Sequence, residues 1–144
     1  GSDKRFDYTV LGDAVNLAAR LEGQSGSYGV NIVLGEETAK QMPDYKLIEL
    51  DLIAVKGKTE PVRIYTYLSD LHIDQAAKLK EPQNAMLASY REQNWDAAER
   101  YLLMAKAQAP ELEKYYQYFQ ERINQFRIQP PRFDWNGVNV ATTK

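Results

Sequence analysis

Asn16 and Arg20 stand four positions apart in the stretch DYTVLGDAVNLAARLE, residues 7–22. On a helix that spacing stacks two side chains on one face. Arginine presents a planar fork of N–H donors suited to phosphate oxygens, and asparagine can hydrogen-bond a sugar oxygen. By itself such a pair is, on most helices, a solvated face. Chemistry elsewhere in the chain is restricted. There is no cysteine and a single histidine, His72. That removes disulfides, thiolate catalysis and cysteine-ligated zinc, and leaves little room for a histidine metal cluster or a Ser-His-Asp triad. His72 reads as an ordinary linker residue.

The elements that must position Asn16 and Arg20 are legible nearby. A strand-like run ends at Gly12, whose small size permits a sharp turn. Asp13 follows as a plausible N-cap. Ala14, Leu17, Ala18 and Leu21 then recur at the spacing of an amphipathic helix, which Gly23 and the GQSGSYG stretch are expected to end. VNIVLG (30–35) reads as a short strand and GEETAKQM as a brief helix. YKLIELDLIAV (45–55) is rich in strand formers, but its alternation slips near Asp51, the mark of a bulge. After the KGKTEP turn, VRIYTYL (62–68) returns, so the pair reads as a hairpin.

Past residue 70 the pattern changes. Residues 71–83 read as a linker of low helicity. From Asn84 the periodicity is helical: Met86, Leu87 and Tyr90 mark one helix, and Ala98, Leu102, Ala105 and Ala109 a second. Pro110 suits the first turn of a third, where its missing N–H costs little. Leu112, Tyr115, Tyr116, Phe119, Ile123 and Phe126 give that helix the clearest apolar stripe in the chain. Residues 128–144 carry two adjacent prolines and are expected to lie extended. The segment ASYREQNWDAAERYLLMAKAQAP is similar to one tetratricopeptide repeat. A free-standing solenoid needs about three such units, so residues 84–127 read either as a helical cap on the first half or as a partner-binding surface. A groove lined by Tyr90, Trp95 or Tyr116 would favour the second reading, and their burial against the first half would favour the first.

The chain of 144 residues carries a net charge of −2 and is 44% hydrophobic and 26% charged, the balance of an ordinary water-soluble domain. The charge argues against a general nucleic-acid binder. No apolar run approaches the length of about 18 residues that a membrane span requires. The Gly1-Ser2 start is equally compatible with a cloning scar and with native sequence.

Two blocks sharpen the picture. DYTVLGDAVNLAARLE resembles the signature of the class III nucleotidyl cyclases, the family that makes cyclic AMP or cyclic GMP. LDLIAVKGKTEPVRIYTYL resembles the closing hairpin of that family's domain, with Lys56 in a VKGK context. The resemblance covers about residues 5–68 and implies an α+β fold. Residues 1–70 would be the C-terminal half of a ferredoxin-like cyclase domain, an antiparallel sheet with packed helices, followed by an all-α tail. It also implies roles: Asn16 orients the ribose, Arg20 steadies charge on the phosphates as the 3′-hydroxyl attacks, Lys56 binds the terminal phosphates, and Thr9 occupies the base-selecting position. Thr9 favours ATP, with a guanylate cyclase as the alternative.

Further expectations follow from the same resemblance. The family holds Mg2+ or Mn2+ on two aspartates upstream of the signature, and the lysine that reads adenine with the Thr9 position also lies upstream. The chain is therefore expected to be the C-terminal part of an adenylate cyclase, to bind no metal of its own and to be inactive alone. Active sites in this family form between two catalytic domains, so the parent is expected to be a homodimer. Bacterial receptors with similar tails place this portion in the cytoplasm. The remaining alternative is a catalytically dead cyclase-like module that regulates or dimerises, with a helical interaction tail.

Overall fold

The computed structural model describes residues 24–55, 59–68 and 72–140. The elements in chain order are α1 (Gln24–Tyr28), β1 (Leu34–Gly35), α2 (Glu36–Ala39), β2 (Leu47–Ala54), β3 (Val62–Tyr67), α3 (Ile73–Arg91), α4 (Trp95–Gln108), α5 (Glu113–Ile128) and β4 (Val138–Val140). Short 3-10 turns at Asp44–Lys46 and Pro110–Leu112 lead into β2 and α5. The sheet order is β1-β3-β2-β4. This is the α+β class expected from the sequence.

The hairpin forms where the strand pattern places it. β2 and β3 pair antiparallel, with Leu47 opposite Tyr67 and Ile53 opposite Val62, and the register slips between Glu49 and Asp51. The broken alternation at Asp51 was that slip. An extra residue lets Leu50, Asp51 and Ile53 all sit at 0% exposure on a strand whose strict alternation would have turned one outward. β1 is shorter than the expected 30–35 run and joins the other side of β3.

The helix expected over residues 14–21 and its end at Gly23 lie outside the described residues; within GQSGSYG, Gln24–Tyr28 is helical and stops at Gly29, which has φ +67°. Two sequence expectations need correction. The low helicity expected for residues 71–83 is wrong, since α3 starts at Ile73 and runs through Pro82. Proline removes one intrahelical bond and normally breaks a helix. Here Ala76, Leu79, Pro82, Gln83, Met86, Leu87 and Tyr90 are all buried along one continuous face, and that burial outweighs the missing bond. Lastly, the segment after residue 128 does more than extend. Its β4 pairs parallel to β2, Leu52 opposite Val138 and Ala54 opposite Val140, and makes the sheet mixed.

One hydrophobic core serves both halves. It runs from Tyr28, Ile48, Leu50, Ile53 and Ile64 on the α/β side to Leu79, Met86, Tyr90, Leu102, Tyr115, Phe119 and Ile123 on the helical side. Tyr90 and Tyr116 are 1% and 0% exposed, and Trp95 is partly buried beside Tyr90, Phe126 and Trp135. The ring partners of Tyr90 and Trp95 belong to the helical half and its tail, and α3–α5 meet the sheet instead through Gln83, Tyr115 and Arg122.

Candidate functional site

Thr9, Asn16, Arg20 and Lys56, the residues that the sequence nominates for chemistry, lie outside the described residues. What the structure defines is the pair of supports on either side of them. Lys56 follows directly on Val55, which is buried at 8% exposure just past the end of β2. The stretch that carries Asn16 and Arg20 runs on into α1 and Tyr28.

Those two supports meet in a buried polar cluster. Tyr28 donates its hydroxyl to Asp51 Oδ2 at 2.6 Å. Arg122 of α5 donates from Nη1 to the same oxygen at 2.7 Å. Its Nη2 reaches the Tyr28 hydroxyl at 3.2 Å and the Tyr118 hydroxyl at 3.0 Å. Asp51 Oδ1 accepts the Leu52 backbone N–H at 2.8 Å, so both carboxylate oxygens are engaged. The guanidinium also lies 4.4 Å from the Tyr118 ring centre and 4.8 Å from that of Phe119. Burial alone would push the Arg122 pKa down. Asp51, and behind it the tyrosine oxygens, outweigh this and hold the guanidinium above its ordinary value. The Tyr28 hydroxyl is pushed far up, first by burial and then by the Asp51 charge.

A second seam lies at the bulge. Gln83 of α3 donates to the Glu49 carbonyl at 2.8 Å and to the Tyr115 hydroxyl at 2.9 Å, and accepts from the Tyr116 hydroxyl at 2.7 Å. Tyr115 in turn donates its hydroxyl to the Leu50 carbonyl at 2.6 Å. The two carbonyls of the irregular stretch are thus bonded by helix side chains, which spares a buried polar group the cost of standing alone. Arg91 closes the edge of this seam with a 2.7 Å bond to Glu49 Oε2.

Sequence reasoning did not single out Asp51, Arg122, Gln83 or Tyr28 as partners. Two signals were present. Asp51 interrupts a run of strand formers. Arg122 occupies a position on the apolar stripe of α5, three residues after Phe119. A charge on an apolar stripe calls for a buried partner.

Among the described residues, no three His, Cys, Asp or Glu side chains are gathered as a metal site. No helix among the described residues is long and apolar enough to cross a membrane. A surface depression of about 420 Å³ is lined by Leu103, Lys106, Ala107, Pro110 and Glu113 and does not involve Tyr90, Trp95 or Tyr116.

Comparison with known proteins found relatives for part of the chain. An adenylate cyclase of Anabaena cylindrica is 42% identical over 69 residues, 45% of this chain and 14% of that protein. Adenylate cyclase 1 of Rhizobium meliloti is 35% identical over 66 residues, 45% of this chain and 10% of that protein. The terminal-differentiation specific adenylate cyclase of Dictyostelium discoideum is 36% identical over 69 residues, again 45% of this chain but 3% of its own length. No family model matches, and no solved structure matches. The chain thus spans a small fraction of the relatives it resembles, and a little under half of it is a cyclase-related region.

Proposed function

We propose that this chain supplies the C-terminal part of a class III adenylate cyclase catalytic domain, which converts ATP to cyclic AMP and pyrophosphate. The observation that carries the reading is the similarity, at 35–42% identity, to adenylate cyclases from a cyanobacterium, a rhizobium and an amoeba. The signature around Asn16 and Arg20 and the VKGK turn at Lys56 support it.

In this reading Arg20 stabilises the charge that gathers on the phosphates as the ribose 3′-hydroxyl attacks the α-phosphorus. A fixed guanidinium is effective there because water is excluded and no reorganisation is needed. Asn16 holds the ribose. Lys56 offsets the charge of the departing pyrophosphate as a point charge. Thr9 contributes to reading adenine. The Mg2+ or Mn2+ of the complete enzyme neutralises the triphosphate when bound, and no ligand for it is assigned in this chain. A second cyclase domain, in a homodimer, completes the site, and the supply of ATP places it in the cytoplasm. Helices α3–α5 act as a cap on the sheet.

The test is Arg20→Ala in the parent enzyme. By comparison with loss of one oxyanion donor, kcat should fall about 10²–10³-fold, or roughly 3–4 kcal/mol. Turnover close to the unsubstituted level would remove Arg20 from the mechanism. The 144-residue chain alone, given ATP with Mg2+ or Mn2+, should form no cyclic AMP.

A further inference from the structure

We propose that the outer face of α4 is a docking surface for a second copy of this chain, joined antiparallel about a two-fold axis. The contact lies within residues 100–113, apart from the pairing of cyclase domains, and does not depend on the cyclase reading.

A helix on the surface of a domain turns its polar side to water. α5 does so with Glu113, Lys114, Gln117, Glu121 and Asn124, all exposed. α4 does not. Its inner face is buried through Ala98, Leu102 and Ala105. Its outer face carries Leu103 at 57% exposure, Met104 at 51% and exposed Ala107. From Leu102 to Ala107 only Lys106 is polar, so this stretch is apolar on the side that meets water as well as on the side that meets the core.

Shape and charge name the occupant. The depression of about 420 Å³ on this face is walled by Leu103, Lys106, Ala107 and Pro110. They stand at i, i+3, i+4 and i+7, the spacing of four residues that frame a hole for a side chain of a facing helix, with Pro110 just past the end of α4. Met104, beside the hole, is a matching knob. A patch that holds both knob and hole is complementary to itself, the condition for an isologous pair. Charge sets the direction. Arg100 lies one turn before Met104, and Glu113 lines the far side of the depression, beyond Ala107. Among the described residues neither forms an ion pair, and Arg100 lies 5.3 Å from the centre of the Tyr101 ring. With Met104 of the second copy in the hole and the helices antiparallel, Arg100 of that copy comes over Pro110 and beside Glu113. The two-fold axis makes the same pair again. A parallel arrangement would set Arg100 against Arg100.

The experiment is sedimentation velocity of the 144-residue chain over a concentration series, alongside Met104→Glu, Ile128→Glu, Arg100→Glu and Glu113→Arg, with helix content checked by circular dichroism. The unsubstituted chain should pass from monomer to dimer as concentration rises. Met104→Glu puts a charge into the hole and should weaken association at least about tenfold. Ile128, at 85% exposure, is a large apolar residue outside the patch, and Ile128→Glu should associate as before. Arg100→Glu and Glu113→Arg each set like charges together at both ends of the contact, and each alone should weaken association about fivefold or more. Mixed in equal amounts, these two variants should recover it, because every mixed dimer regains two opposite pairs. Only an antiparallel copy of the same face gives that recovery. A mixture no better than its components would overturn the antiparallel pairing. Association that survives Met104→Glu would overturn the docking surface and assign the contact to another part of the chain. A chain that stays monomeric throughout would overturn it as well and leave the face to a different protein.

Discussion

Helix α5 carries two arginines that pair with carboxylates at the same distance. Arg122 meets Asp51 at 2.7 Å with the two side chains 9% and 1% exposed, and Arg127 meets Asp96 at 2.7 Å with 36% and 87% exposed. The contact geometry is alike, but the surroundings differ. Around Arg122 water is excluded, salt cannot screen, and the alternative to pairing is a bare buried charge. Around Arg127 water and counterions compete for both partners. The buried pair also joins the cap to the sheet, whereas the exposed one joins two helices of the cap that already share a core. Equal lengths of ion pair thus carry unequal consequences, and what decides them is burial and which elements are joined.

The comparison breaks first at Arg122→Met. That change strands Asp51 in the core, and the unfolding free energy should fall by about 3–5 kcal/mol, read from urea denaturation of the 144-residue chain. A loss under about 1 kcal/mol, the range of exposed pairs, would erase the distinction.

Alkali tests the same interior more gently. The Tyr90 hydroxyl, which accepts from Arg122 at 3.4 Å, is pushed up to about 12, chiefly by burial. Tyr28, Tyr115 and Tyr116 are raised further, burial again leading. A hydroxyl with a raised folded-state pKa binds its proton longer in the native state. Its contribution is whole below the ordinary tyrosine value of about 10 and is lost as pH climbs toward the folded value. Stability should therefore fall above about pH 10, with up to about 2–3 kcal/mol due to Tyr90. Tyr90→Phe should make the decline shallower, and an identical slope in that variant would show that the hydroxyl is not buried as described.

The smallest effect belongs to Arg127→Ala. Its urea midpoint should match that of the unsubstituted chain, and added salt should not separate the two. A clear loss at low salt that vanishes at high salt would mean that the exposed pair matters more than its surroundings imply.

Local patterns were readable in the sequence and distant pairings were not. The stripe of Leu112, Tyr115, Tyr116, Phe119, Ile123 and Phe126 identified α5 because helical periodicity is a short-range signal; the first five are buried and Phe126 is partly so. The hairpin and its irregularity near Asp51 were legible for the same reason. The start of α3 was missed because Pro82 speaks locally against a helix, while the core it packs into is assembled from elsewhere. The meeting of Asp51 with Arg122 spans 71 positions, and no window of sequence shows it. β4 was read only as extended because its partner strand lies far upstream. The nominated groups Thr9, Asn16, Arg20 and Lys56 came from motif resemblance. Of their setting the structure supplies the flanking supports alone.

The pairing of Leu52 with Val138 has a bearing on how the chain assembles. All three long helices lie between those two residues in the chain, so the outer ladder of the sheet closes a very long loop. Closing it costs entropy that only a formed interior can repay, which makes contacts of this separation slow to form. The helices and the β2–β3 hairpin can gather first from neighbouring residues. The edge strand then docks last, like a clasp fastened after the case is shut.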